Sequence, residues 1–280
     1  MAPGTLHRPS QAPDVMTTFG VVTPTLNAER YLLRCMESIQ SQETDGVTLD
    51  HVVVDGGSSD GTTEVARRFR SRVVVAPDGG MYEAVNRGMS TVRGDVIGFV
   101  NADDEIAPGA LRAVSEAMAR HPEAHWVCGG VELIDGQGAT LGVMRMVRVS
   151  RIGLVGLGWC PIHSMTVWVR RAFFERVGPF DTSFRQAGDY DWYARALALE
   201  TPLVLPGPLA RFRLHGANLS NDLVLMGAES ARVRDQYGGW GVRARAAGKL
   251  LSLRLNLRNP AWLLAKKRGR IPQRKLPKPS

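Results

Sequence analysis

No stretch of this 280-residue chain approaches the ~18 consecutive apolar residues that a bilayer-spanning helix requires, because charge or glycine interrupts every apolar run. Met1 to Ser10 hold no apolar block either, so no secretory signal is expected there. Cysteine is scarce. Cys35, Cys128 and Cys160 are too few and too scattered for a disulfide framework or a structural zinc site, and all three are expected as buried small hydrophobes. This pattern predicts a cytoplasmic location. Acidic residues are missing from residues 241–280, which hold twelve Lys or Arg. The formal charge of +8 therefore belongs to that tail, and the rest of the chain is net negative. A nucleic-acid-binding module working through the tail is a competing class, but it leaves the negative remainder unexplained, and no nucleic acid is expected as a partner.

The 44% hydrophobic and 22% charged residues suit one large α/β domain with an appendage. Residues 1–17, rich in Pro and Ser, are expected as an unstructured leader, residues 18–240 as the domain, and 241–280 as a basic C-terminal segment. Phe19 to Thr23 reads as a strand running into Pro24, and Asn27 is placed to cap a helix whose inner positions are Leu32, Cys35, Met36 and Ile39. His51 to Val54 is a second strand, closed by Asp55-Gly-Gly-Ser-Ser-Asp-Gly61; Arg72 to Ala76 is a third, stopped by Pro77-Asp78-Gly79-Gly80. A helix over Met81–Thr91 and a strand over Asp95–Val100 follow, and Pro108 opens a helix with Leu111, Val114 and Met118 inside. Continuous apolar strands alternating with helices predict a single mostly parallel central sheet flanked by helices. In such sheets ligands bind beyond the carboxyl ends of the strands, where the polar loops of this chain fall.

A dinucleotide-binding oxidoreductase fits poorly. The turn after its first strand needs glycines, whereas this chain has Thr23-Pro-Thr-Leu-Asn27. The fourth strand ends in Asn101-Ala-Asp103-Asp104-Glu105, a cluster of hard oxygen donors that suits Mg²⁺ or Mn²⁺ shared with phosphate oxygens. The other reading of that cluster is a polar loop in which Asp104 or Glu105 caps the next helix. Asp55 has two readings as well, ligand contact or turn satisfaction, while Asp60 is expected to cap a helix.

From about Phe19 through Arg213 the chain resembles the family 2 glycosyltransferases of the GT-A fold type. The resemblance is carried by Val22-Thr-Pro-Thr-Leu-Asn27, Val54-Asp-Gly-Gly-Ser-Ser-Asp-Gly-Thr62, Asp78-Gly-Gly-Met-Tyr-Glu-Ala-Val-Asn-Arg-Gly88 and Gly94-Asp-Val-Ile-Gly-Phe-Val-Asn-Ala-Asp-Asp104. It is nearest to the bacterial branch that assembles exopolysaccharides and cell-envelope glycolipids. It implies inverting transfer of a sugar from a nucleotide-diphosphate sugar to a glycan or lipid-linked acceptor, with residues 18–104 as the nucleotide-binding half and 105–240 as the acceptor half. A non-catalytic nucleotide-sugar-binding protein is the alternative within the same resemblance.

By that resemblance Pro24, Thr25, Asp55 and Asp78 face the nucleotide. The family's Asp-any-Asp metal motif reads Asn101-Ala102-Asp103, which makes Asp103 the metal ligand and Asn101 its partner or a ribose contact. His163, before the apolar stretch Ser164–Val169, is implied near the sugar and diphosphate, and His215 near the diphosphate or the metal. The proton-accepting base is implied as the Asp of a Glu-Asp pair at the start of a helix near residue 189. Here the pair reads Gly188-Asp189, so Glu is replaced by Gly, and Asp189 and Asp191 both stand as candidates. A carboxylate suits the removal of a proton from an attacking hydroxyl. Asp191 is also spaced to pair with Arg195. In the tail, Lys249–Arg258 and Trp262–Arg270 mix leucine, tryptophan and positive charge, which fits an anionic membrane surface at the inner face of the cell membrane; a packed terminal helix is the competing reading.

Overall fold

The computed structural model describes residues 16–77, 79–216, 218–238, 250 and 253–267. Asp78 and most of the basic tail lie outside the described residues. Three parallel pairings begin the fold: β1 (Thr17–Thr25), β2 (Val47–Asp55), β3 (Arg72–Val75) and β4 (Val96–Phe99) line up in the order β3-β2-β1-β4, joined through the helices α1 (Glu29–Gln40), α2 (Thr62–Ala66) and α3 (Met81–Thr91). The same sheet continues through β8 (Trp168–Arg170), β6 (Trp126–Ile134), β9 (Leu203–Arg213) and β5 (Glu105–Ile106), with β7 (Thr140–Met144) on β6. β8 runs antiparallel to both β4 and β6, while β6 and β9 are parallel. The expected mixed α/β fold with a mostly parallel sheet between helices holds, and the antiparallel pairs gather at β8, β7 and β5.

Strand periodicity explains why both faces are covered. Phe19 and Val21 of β1 join one buried cluster with Leu32, Met36 and Ile39 of α1 and Leu111 and Val114 of α4 (Ala110–Arg120). Val22, one residue out of phase, joins the other cluster with Val85 and Met89 of α3. α3 lies so close to β1 that a Cβ on Gly88 would sit 2.3 Å from Val22 Cγ1. Trp168, fully buried, occupies the space beside Gly98 of β4 in the same way. Further helices are α5 (Arg171–Val177), α6 (Gly188–Leu199), α7 (Leu223–Gln236) and α8 (Pro260–Lys267), and residues 253–258 are also helical.

Several local expectations need correction. Asn27 does not cap α1: it sits at φ 49°, and its Oδ1 accepts from Ser59 N instead. The α1 terminus is served from the second loop, where Asp60 accepts from Glu29 N and also from Thr62 N at the start of α2. Ser164–Val169 is not one strand, since a 3-10 turn at Ser164–Thr166 precedes β8. Cys35 and Cys128 are buried as expected, but Cys160 is exposed.

The described part of the tail docks in part. Leu255 and Asn259 are buried, and the Asn259 amide accepts from Arg145 N at 2.6 Å and donates to Arg145 O, fixing the tail beside β7. Among the described residues no helix is long and apolar enough to cross a membrane.

Candidate active site

The carboxyl ends of β1 and β4, the start of α3 and the start of α6 enclose one cavity of about 1360 Å³. Pro24, Thr25, Asn101, Asp103, His163, Asp189 and His215 all line it. Four buried side-chain polar atoms among the described residues have no hydrogen-bond partner, and three of them, Thr25 Oγ1, Asn101 Oδ1 and Gln186 Oε1, belong to cavity-lining residues. Buried polar groups without partners are rare in folded proteins, so their concentration in one cleft marks it as shaped for a polar ligand.

Asp103 is held from two sides. Its Oδ2 lies 2.9 Å from His215 Nε2 and accepts from Asn218 Nδ2 at 3.3 Å, and its backbone carbonyl accepts from Arg213 Nε. The acidic cluster does not act as one ligand set. Asp104 is fully buried and accepts from Arg213 N and Asn101 Nδ2, with burial pushing its carboxyl well above the usual carboxylate range. Glu105 pairs with Arg211 and Arg213 on β9. These pairs tie β9 to the loop after β4, and Arg213 also lies over the Tyr31 ring. Of the three acids, only Asp103 is left to the cavity.

The Asn101 amide oxygen, the Asp103 carboxylate and the His215 imidazole are donors that suit Mn²⁺ or Mg²⁺. The described residues contain no group of three or more His, Cys, Asp or Glu side chains that could enclose a metal. That partial set fits an ion that completes its coordination with phosphate oxygens of a ligand, the usual arrangement for a metal shared with a diphosphate.

Elsewhere in the lining, α6 begins at Gly188, and Asp189 stands half-buried in its first turn. Asp189 Oδ1 accepts from Tyr190 N at 2.8 Å and from the Tyr82 hydroxyl at 3.2 Å. Burial pushes this carboxyl up to about 6, and these hydrogen bonds hold it back from rising further.

Two expected site residues do not reach the cavity. Asp191 is 2% exposed, with its carboxylate taken by Arg195 at 2.9 Å and by the Tyr237 hydroxyl at 2.7 Å. Asp55 is fully buried, and its carboxylate accepts from Gly57 N, Ser58 N and Ser58 Oγ, which closes the glycine-rich turn. These hydrogen bonds are those of the turn-forming reading of Asp55. The expected contact of Asp78 falls outside the described residues.

Sequence reading missed Tyr82, Gln186, Tyr190 and the α7 residues Leu223, Met226 and Arg234, all of which line the cavity. Tyr82 stood in a quoted motif, but nothing in one sequence says that its ring crosses to α6. The α7 residues follow no motif at all.

A family profile described as Glycosyl transferase family 2 matches residues 20–177. A PGL/p-HBAD biosynthesis glycosyltransferase of Mycobacterium bovis is 28% identical over 191 residues, covering 64% of this chain and 70% of that protein. An uncharacterized glycosyltransferase of Rickettsia typhi is 24% identical over 210 residues, covering 72% and 65%. Among solved structures, S. aureus TarS in complex with UDP-GlcNAc superposes with a TM-score of 0.59 at 18% identity, over 91% of this chain and 82% of that one. A mannosyltransferase from Pyrobaculum calidifontis in complex with GDP-Man and Mn²⁺ superposes with a TM-score of 0.57 at 19% identity, over 90% and 73%.

Proposed function

The chain belongs to glycosyl transferase family 2, and on that premise we propose that it is an inverting, metal-dependent enzyme. It transfers a sugar from a nucleotide-diphosphate sugar to a hydroxyl of a glycan or lipid-linked acceptor. One observation carries the reading: Asp103 with His215 and the carboxylate of Asp189 line the same cavity, so a charge-stabilising site and a base serve one ligand space. The relatives point the same way, since TarS and the Pyrobaculum enzyme hold sugar nucleotides and the latter holds Mn²⁺.

The donor end is formed by Pro24, Thr25 and Asn101, with the unpartnered Thr25 Oγ1 available to a nucleoside or ribose. Asp103, His215 and Asn101 would hold a divalent metal, which when bound supplies positive charge against the diphosphate as it departs. His163 lines the cavity beside Phe212, and we assign it to the sugar and diphosphate. The acceptor enters between Ile162, Phe184, Tyr190 and Met226, an apolar wall suited to a lipid-linked or aromatic portion.

Asp189 is the base. It takes the proton from the acceptor hydroxyl as that oxygen bonds to the anomeric carbon and the bond from that carbon to the diphosphate oxygen breaks. The nucleoside diphosphate leaves with the electron pair, and the anomeric configuration inverts. A carboxyl titrating at about 6 is ionised at neutral pH yet binds a proton more strongly than a surface carboxylate, as a general base should.

We assign the tail to a membrane surface. Leu253 and Leu257, four residues apart on one helix face, are 52% and 68% exposed, and Leu264 follows at 52%. Leu255 and Asn259 occupy the docking face, and exposed Arg254 and Arg258 flank the leucines. That combination suits anionic lipid at the cytoplasmic face of the cell membrane.

Calorimetric titration with uridine, thymidine and guanosine diphosphate sugars, with and without Mn²⁺, tests the donor reading. One donor should bind in a metal-dependent way, and absence of binding by all three classes contradicts it.

A further inference from the structure

We propose that the Tyr82 hydroxyl of α3 is a positioning group for the Asp189 carboxylate, so that the donor-side helix holds the acceptor-side base in line with the cavity. The inference rests on the reading of Asp189 as the base.

Tyr82 is 2% exposed, and its ring is stacked on Phe180 with centroids 5.6 Å apart, so the hydroxyl has little freedom of position. That hydroxyl lies 3.0 Å from the Gln186 carbonyl and 3.2 Å from Asp189 Oδ1. The two partners suit both protonation states of Asp189. An ionised carboxylate accepts the Tyr82 proton; a protonated one can donate to the phenol oxygen while Tyr82 gives its proton to the Gln186 carbonyl. The group that must gain a proton in the reaction therefore keeps a partner before and after.

Gly188 makes this approach possible. A Cβ there would lie 2.7 Å and 2.8 Å from two Tyr82 ring carbons, so the ring fills the space in which a side chain at position 188 would start. The Glu that the resemblance leads one to expect at 188 is incompatible with Tyr82 in this place. On the far side, Glu229 of α7 accepts from the backbone N–H groups of Arg185, Gln186 and Ala187 at 2.8–2.9 Å, clamping the chain as it enters α6. The segment that carries Asp189 is thus held by α7 through its backbone and by α3 through the carboxylate itself.

The titratable groups around Asp189 are Tyr82 of α3, Tyr190 and Tyr193 of α6 and the Cys160 thiol, with Glu229 behind Tyr82 and Arg234 beyond Tyr190. Burial holds the Tyr82 and Tyr193 phenols well above their usual value, so both remain neutral donors over the working pH range. The Tyr82 hydrogen bond lowers the proton affinity of Asp189, and its loss raises it.

The test measures kcat, KM and donor affinity between about pH 5 and 8 for the wild type, Tyr82→Phe, Gly188→Ala and Asp189→Asn. Tyr82→Phe keeps the ring and its stacking. It should leave donor affinity unchanged, lower kcat at pH 6 on the order of 10-fold and move the midpoint of the acid limb to higher pH. Gly188→Ala, by displacing the ring, should move the same midpoint in the same direction. An unmoved midpoint in Tyr82→Phe overturns the proposal, whether or not kcat falls, because a purely structural role does not act on the titration of the base. Asp189→Asn separates the two readings. If that variant is inactive while Tyr82→Phe titrates like the wild type, only the role of Tyr82 fails; if it still transfers sugar, the base assignment fails.

Discussion

His215 Nε2 lies 2.9 Å from Asp103 Oδ2, joining the loop after β4 to the loop after β9 across 112 positions of sequence. The contact places an imidazole and a carboxylate side by side at the rim of the cavity, where a divalent ion shared with a diphosphate would need them. Asp103→Ala is therefore expected to abolish Mn²⁺-dependent donor binding. His215→Ala should weaken it on the order of 10–100-fold, the usual effect of losing a group that orients or supplements a metal ligand. Titration calorimetry at fixed Mn²⁺ checks both; wild-type affinity in Asp103→Ala would remove the metal assignment.

Asp191 gives the contrast. Its Asn variant loses the charge that faces Arg195, but Arg195 keeps carbonyl acceptors at Val177, Gly178 and Pro179, so the arginine is not stranded. The cost should fall at about 1–3 kcal/mol, below that of a fully buried pair broken on one side. Urea titration should show the loss, and kcat of the folded variant should stay near that of the wild type. A folded Asp191→Asn protein that no longer transfers sugar would transfer the base role away from Asp189.

Asp189 also links stability to pH. Its folded carboxyl titrates at about 6, above the ordinary carboxylate value, so the folded state binds a proton more tightly than the unfolded chain. Stability contributed by this group is therefore greatest at low pH and declines as pH rises from the ordinary carboxylate value through about 6, after which the contribution is flat. Asp189→Asn should remove that decline, raising the Tm at pH 7 relative to the wild type more than at pH 4. An identical Tm difference at the two pH values would show that Asp189 titrates normally.

At Gly88 two effects oppose each other. Replacement by Ala favours the helix by about 1 kcal/mol through backbone entropy. A Cβ 2.3 Å from Val22 Cγ1 in a fully buried strand, however, forces overpacking worth about 1–3 kcal/mol. The clash should win, and denaturant unfolding of Gly88→Ala should show a net loss. A stabilised variant would mean that α3 can move off β1 at little cost.

The tail reading is tested by Leu253→Ser with Leu257→Ser, two exposed positions whose change leaves Leu255 and Asn259 docked. Flotation with vesicles containing anionic lipid should fall sharply, since each leucine withdrawn from water is worth about 1.5–3 kcal/mol. Flotation equal to that of the wild type would leave the tail as a packed helix only.

How far the sequence spoke for itself depended on the range of the interactions involved. The α3 boundaries Met81–Thr91 and the inward Leu111, Val114 and Met118 of α4 were legible because helix and strand periodicity are local. The position of Asp103 in the cavity lining was legible because it lies in a motif just beyond a strand. What failed was choice of partner. Asn27 looks like a cap from its neighbours, yet its amide is used by Ser59, 32 residues on. Asp104 and Glu105 look like metal ligands beside Asp103, yet Arg211 and Arg213 arrive from β9 to take them. Asp189 and Asp191 differ by two helical residues, and only the packing of Tyr237 and Arg195 shows which one is buried away from the cavity.

The most direct test is sugar transfer by wild type and Asp189→Asn with the donor found by calorimetry, an acceptor bearing a free hydroxyl, and determination of the anomeric configuration of the product. The wild type should form an inverted product, and Asp189→Asn should bind the donor with wild-type affinity and form none. Transfer by Asp189→Asn at the wild-type rate, or a product with retained configuration, would contradict the account.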